Sequence, residues 1–129
     1  MSTAPARTAR AAVEDYFAAI NSDRFADLAA VLADDVEIVT TGAPPVVGRE
    51  AALAHFPAVL AGYATHDDAV TRWIEAGDTI VCEIAFTGTF TDGRPAAFDA
   101  LDVFDTVDGW ITRVGTWFDT RSVARQIKG

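Results

Sequence analysis

Asp102 lies in the tract AAFDALDVFDTV, residues 96–107, where Phe98, Ala100, Asp102 and Phe104 share one face of a strand because side chains alternate with period two. An aspartate between apolar neighbours on that face belongs in a lined cavity, where a carboxylate is costly unless it is paired, protonated or used. Glu83 falls on the neighbouring strand. Facing Asp102, it would form a pair of carboxyls that cannot both ionise cheaply in a dry site, so one pKa would rise and the pair would supply an acid and a base. The alternative is that Glu83 pairs with Arg72 or Arg113 and is structural. Cys82, between Val81 and Glu83, reads as a buried, inert thiol. His55, beside Phe56, reads as a surface histidine. His66-Asp67-Asp68 has metal-ligand residue types, but adjacent strand residues point to opposite faces, so it reads as a solvated strand start. Two scattered histidines do not make a zinc site, and no metal is expected. Asp99 and Asp105 have the opposite parity to Asp102 and belong on the outer face.

The elements that must position these groups follow from periodicity. Val13, Tyr16, Phe17 and Ile20 recur at helical spacing, which predicts a helix over 8–20. Asn21-Ser22-Asp23 ends it and caps a second helix over 24–32, with Phe25, Leu28, Val31 and Leu32 inward. A short strand over 36–41 follows, then a loop with Pro44-Pro45 that cannot be helical. A third helix spans 49–60, bent near Pro57. Four strands come next, over 66–76, 79–90, 96–107 and 110–119, joined by Gly77-Asp78, Asp92-Gly93 and Asp108-Gly109, which are hairpin signals. Asp119 ends the last strand and caps a final helical turn over 121–127. The fold class is therefore α+β, with helices over one face of a curved, mostly antiparallel sheet. Both sheet faces carry apolar residues. Trp73, Trp110 and Trp117 are assigned to the outer face, which predicts a homodimer.

At 129 residues, with half of them hydrophobic and 22% charged, the chain is expected to be one domain with a respectable core. Its formal net charge is −9, and the basic stripe needed for nucleic acid is missing. Anionic membranes are disfavoured for the same reason, and no apolar run approaches a membrane span. The first ten residues lack the hydrophobic stretch of a signal peptide and read as a short tail, so the expected location is cytoplasmic. The single cysteine excludes an intrachain disulfide.

The element order and four stretches resemble the nuclear-transport-factor-2-like superfamily, whose members include ketosteroid isomerases, SnoaL-type polyketide cyclases, limonene-epoxide hydrolases and scytalone dehydratases. The stretches are YFAAINSDRFADLAAVLADD (16–35), PPVVGREAALAHF (44–56), GRPAAFDALDVFDTVDGWI (93–111) and TWFDTRSVARQI (116–127). The first three look like bacterial ketosteroid isomerase and the last more like SnoaL-type proteins. The resemblance implies a cone-shaped fold with N-terminal helices enclosing a pocket against the sheet. It matches Tyr16 to the oxyanion-hole tyrosine of the isomerases and Asp102 to their protonated aspartic acid. The isomerases' base aspartate falls at Thr40, which cannot shuttle a proton at neutral pH. The epoxide hydrolases' Arg-x-Asp pair falls at Glu83 and Ala85, and their second aspartate at Thr116. The cyclases' histidine falls at Asp102 and their aspartate also at Thr116.

The pocket implied by this resemblance collects Tyr16, Ile20, Ile38, Thr40, Phe56 and Leu60 from the helices and first strand. Glu83, Ala85, Thr87, Ala100, Asp102, Phe104, Val114, Thr116 and Phe118 come from the meander. Such a lining suits a flat hydrophobic ligand. The expected function is cofactor-independent enol chemistry on a hydrophobic carbonyl, polyketide-like compound of secondary metabolism: cyclisation, isomerisation or dehydration. Asp102 and Tyr16 would serve the oxygen and Glu83 would be the base. A non-catalytic binder and an epoxide-opening enzyme are the alternatives.

Overall fold

The computed structural model describes residues 7–129, beginning with helix α1 (Ala9–Asn21). The buried residues of α1 (Ala12, Val13, Tyr16, Phe17, Ala19 and Ile20) form one stripe at helical spacing. Thr8 caps the helix, its hydroxyl accepting a hydrogen bond from the Ala11 N–H at 3.0 Å. The second expected helix is instead a short 3₁₀ turn, Phe25–Ala30, and Leu32 already opens strand β1 (Leu32–Thr40). The reason lies in the residues expected to cap it. Asn21 and Asp23 are engaged with a distant strand, Asp23 adopts φ +56°, and no side chain satisfies the turn's first N–H groups.

The chain continues through β2 (Val46–Val47), α2 (Arg49–Leu60), β3 (Tyr63–Ala76), β4 (Thr79–Phe90), β5 (Pro95–Val107), β6 (Trp110–Phe118) and α3 (Thr120–Lys128). Pro57 sits inside α2, as expected. Asp119 caps α3 by accepting from the Arg121 and Ser122 N–H groups at 3.0 Å each. At the β5–β6 turn, Asp108 and Gly109 both have positive φ, the pairing that matches strand twist in a two-residue hairpin.

The six strands form one open sheet in the order β2-β1-β6-β5-β4-β3. All pairs are antiparallel except β1 with β6. With helices packed on its inner face, this is the expected α+β architecture. Cross-strand register defines that face. Cys82 lies opposite Asp102, Ile84 opposite Ala100 and Phe86 opposite Phe98. Asp102 then meets Thr116, and Thr116 meets Thr40. The core beneath α1 is built from fully buried Phe104, Leu28, Leu32, Ile80, Ile111 and Val114. Each such side chain stabilises the fold by roughly 1.5–3 kcal/mol through burial.

Trp73 is not on the outer face. The β3–β4 register shifts between Val70 and Arg72, and this bulge reverses the parity of everything after it. Trp73 therefore turns inward, edge-on to Phe17 at 6.3 Å, with the Arg10 guanidinium 3.8 Å above its ring. Trp110 and Trp117 do lie partly exposed, as do Leu101 and Val107. Among the described residues, no helix is long and apolar enough to cross a membrane.

Candidate active site

Between α1, α2, α3 and the inner sheet face lies a cavity of about 480 Å³. Tyr16 and Ile20 line it from α1, Ile38 and Thr40 from β1, and Phe56 and Leu60 from α2. Ala100 and Asp102 line it from β5, and Thr116 and Phe118 from β6. Ten of the residues expected from the sequence are thus brought to one space.

Five others are not. Glu83, Ala85 and Thr87 occupy the opposite face of β4 from Ile80, Cys82, Ile84 and Phe86. The Glu83 side chain is 45% exposed and paired with Arg72 at 2.9 Å. It cannot face Asp102, because the residue opposite Asp102 is Cys82. The burial expected for Cys82 already implied this, since adjacent strand residues cannot share a face. Phe104 and Val114 are on the inner face but sit deeper, in the core under α1. Phe104 makes edge-on contacts with Tyr16 at 5.0 Å and Phe17 at 5.6 Å, so it supports the floor without lining the cavity.

Asp102 is 5% exposed, and its Oδ1 is buried without a hydrogen-bond partner. Burial pushes its carboxyl up to about 7; the Thr116 hydroxyl pulls the other way and the Asp68 charge adds to the rise. Tyr16 is pushed well above the usual phenol range, chiefly by burial and then by Asp102 and Asp68. Cys82 rises to about 12 for the same leading reason, which makes it the inert thiol expected.

Asp68 was expected in solvent; the structure corrects this and places it in the cavity wall. Its carboxyl is raised to about 6 by burial, with His66 lowering and Asp67 raising it. Asn21 holds its backbone from both sides: the Asn21 amide donates to the Asp68 carbonyl at 3.0 Å and accepts from the Asp68 N–H at 2.9 Å. Two residues back, His66 is also buried and its Nε2 meets the Asp23 carboxylate at 2.6 Å. The signal available in the sequence was the alternation of His66, Asp68 and Val70 on one face. His55 is likewise half-buried and lines the cavity, so it is not a surface histidine. Its pKa is lowered by burial.

The outer half of the cavity is aromatic. Phe86 stacks on Phe98 at 4.6 Å and Tyr63 on Phe90 at 5.1 Å, and Phe118 closes the row against Phe98 at 5.7 Å. Val123 and Ile127 of α3 cover the mouth. Arg94 anchors that helix by donating to the Gln126 carbonyl at 2.6 Å and the Ile127 carbonyl at 3.0 Å. Arg94 also pairs with Asp92 at 2.8 Å. The one cation lining the cavity is thus already engaged, and an anionic ligand would find no free partner among the described residues. Among the described residues there is also no group of three or more His, Cys, Asp or Glu side chains placed to hold a metal ion.

Several solved structures share this architecture. An NTF2-like protein of unknown function from Burkholderia pseudomallei superimposes with a TM-score of 0.86 at 22% identity, covering 94% of this chain and 98% of that one. A SnoaL-like polyketide cyclase candidate from Jannaschia sp. CCS1 gives 0.86 at 16% identity, covering 100% and 98%. An LEH-like epoxide hydrolase from M. tuberculosis gives 0.79 at 21% identity, covering 93% and 89%. At these identities the likeness is one of fold. No curated protein matches in sequence. The model of the SnoaL-like domain matches residues 13–114, which is most of the chain and includes Tyr16, Asp68 and Asp102. The chain therefore belongs to the SnoaL-like domain family, within the NTF2-like fold.

Proposed function

We propose that this protein is a cofactor-independent acid–base enzyme acting on a flat, hydrophobic carbonyl compound through an enol. The observation that carries the reading is the unpartnered Oδ1 of Asp102, buried beside Tyr16 in a mostly apolar cavity. A buried polar atom without a partner is costly, and a ligand oxygen would satisfy it. Held neutral below about pH 7, Asp102 donates one hydrogen bond to that oxygen. Tyr16, which keeps its proton throughout the physiological range, donates a second. Two donors aimed at a developing oxyanion supply the largest single contribution to many carbonyl reactions. The aromatic row holds the remainder of the ligand by stacking. Cyclisation, isomerisation and dehydration all pass through such an enol.

The test needs no knowledge of the substrate. A flat phenol such as 2-naphthol mimics an enolate, and its binding can be followed by fluorescence. It should bind the parent tenfold or more tightly than Asp102→Asn or Tyr16→Phe. Equal affinity across the three would remove the oxyanion reading.

A second reading, opening of an epoxide, is favoured by the paired shifts of Asp68 and Asp102, one suited to activating water and one to protonating the ring oxygen. The likeness to an LEH-like epoxide hydrolase points the same way. Turnover of cyclohexene oxide by the parent would favour it over enol chemistry. Binding of 2-naphthol with no turnover of ketone or epoxide would leave the third reading, a small-molecule binder. For assembly, we propose a cytoplasmic homodimer through the outer sheet face, where Leu101, Trp110 and Trp117 are partly exposed. A monomer mass by light scattering at micromolar concentration would count against it.

A further inference from the structure

With Glu83 on the outer face, the proton acceptor must be sought among the titratable groups that line the cavity. These are Tyr16 on α1, His55 on α2, Tyr63 and Asp68 on β3, Asp102 on β5, and Asp92 with Arg94 at the β4–β5 turn. Asp92 and Arg94 neutralise each other at 2.8 Å. Tyr16, Tyr63 and Asp102 are all raised by burial and hold their protons as donors. His55 and Asp68 remain. The Asp68 charge bears on both Tyr16 and Asp102, whereas His55 influences neither. Among the described residues no ion pair neutralises the Asp68 carboxylate. Its position is also the more tightly fixed, because both backbone polar groups are held by Asn21.

We propose that Asp68 is the proton acceptor of this site and that Asn21, the last residue of α1, is the positioning residue that holds it beside the Tyr16–Asp102 pair. The proposal rests on the reading that this pair receives the ligand oxygen. In the step, a C–H bond next to the carbonyl breaks and its proton passes to the Asp68 carboxylate. The C–H electron pair becomes the enolate double bond, and the carbonyl π pair moves onto the oxygen bonded by Tyr16 and Asp102. Returning the proton to a carbon completes the cycle, so no oxidant, reductant or co-reactant is required. Tyr16 and Asn21 lie on the same helix, so α1 sets the distance between the oxyanion donors and the acceptor. A single amide side chain with two backbone bonds fixes Asp68 more firmly than the exposed pairing of a surface carboxylate would.

The probe is 2-tetralone in D₂O, with loss of the proton NMR signals flanking its carbonyl as the readout and 2-naphthol affinity as the control. The parent should exchange these hydrogens well above the buffer rate. Asp68→Asn should lower the exchange by roughly a hundredfold to ten-thousandfold, the range for loss of a general base, while still binding 2-naphthol. Asp68→Glu keeps the carboxylate but displaces it, so it should retain part of the rate, and it serves if the asparagine variant does not fold. Asn21→Ala should lower the exchange rate without changing 2-naphthol affinity, and added Asn21→Gln should not restore it fully. Parent-like exchange by Asp68→Asn, or loss of exchange in His55→Gln alone, would overturn the assignment. A parent that binds 2-naphthol but does not exchange 2-tetralone would overturn the acceptor and leave the oxyanion pair standing. A parent that does neither would overturn both.

Discussion

Replacing Asp102 by Asn should make the protein more stable, and by an amount that depends on pH. In the folded chain the Asp102 carboxyl is raised from 3.8 to about 7, mainly by burial. Between those values the unfolded chain has released a proton that the folded chain still holds. The folded state then binds more protons, so stability falls as pH rises. The loss begins near pH 4 and levels off just above pH 7. At about 1.4 kcal/mol for each pH unit, the full span comes to roughly 4 kcal/mol, of which about 2–3 kcal/mol falls between pH 5 and pH 8. An asparagine there is nearly isosteric and has no charge to bury, so the variant escapes this loss. Urea denaturation of parent and variant at pH 5 and pH 8 isolates the contribution of Asp102 together with its coupling to Asp68, because titrating groups that do not interact with Asp102 cancel in the difference. The advantage of the variant should grow by those 2–3 kcal/mol over this interval. A stability difference that stays constant from pH 5 to pH 8 would show that Asp102 is not desolvated in the folded chain, and the reasoning from its burial would fail. Such an acid, which costs stability as pH rises toward neutrality, fits a site in which function outweighs stability.

Three further outcomes follow from the same geometry. Exchange of 2-tetralone should rise through about pH 6 as Asp68 ionises and fall above about pH 7 as Asp102 does, and Asp102→Asn should remove the alkaline limb of the pH–rate profile; a profile flat from pH 5 to pH 8 would contradict it. Glu83→Gln should leave exchange unchanged and shift stability by no more than about 1 kcal/mol, the scale of an exposed ion pair; a tenfold loss of rate would reinstate Glu83 as a functional residue. Phe104→Ala should cost about 3–5 kcal/mol in urea unfolding, because the ring is fully buried between Tyr16 and Phe17; a near-neutral variant would place that ring in the cavity wall.

Much of the architecture could be read directly from the chain, because helical spacing and hairpin turns are local signals. The stripe Ala12 to Ile20, the Asp108-Gly109 turn and the Asp119 cap depend on residues only a few positions apart. The placement of Asp102 was legible for the same reason: alternation along one strand puts it with Ala100 and Phe98. What depends on two strands at once was not. The expected burial of Cys82 already placed Glu83 on the other face, but that Cys82 lies directly opposite Asp102 is a matter of register, and a shift of one residue exchanges the faces of a whole strand. The bulge after Val70 turned Trp73 inward, and nothing in the local pattern announces a bulge. The use of Asn21 and Asp23 was decided at a distance of more than forty residues, where a cap for the next helix gave way to bonds with Asp68 and His66. Local sequence therefore determined most of the elements, though not the 3₁₀ turn at Phe25–Ala30, and one acid of the site. Only the packing of α1 against β3 decided which second carboxylate would join it, because that contact exists only once the sheet has folded around the helix.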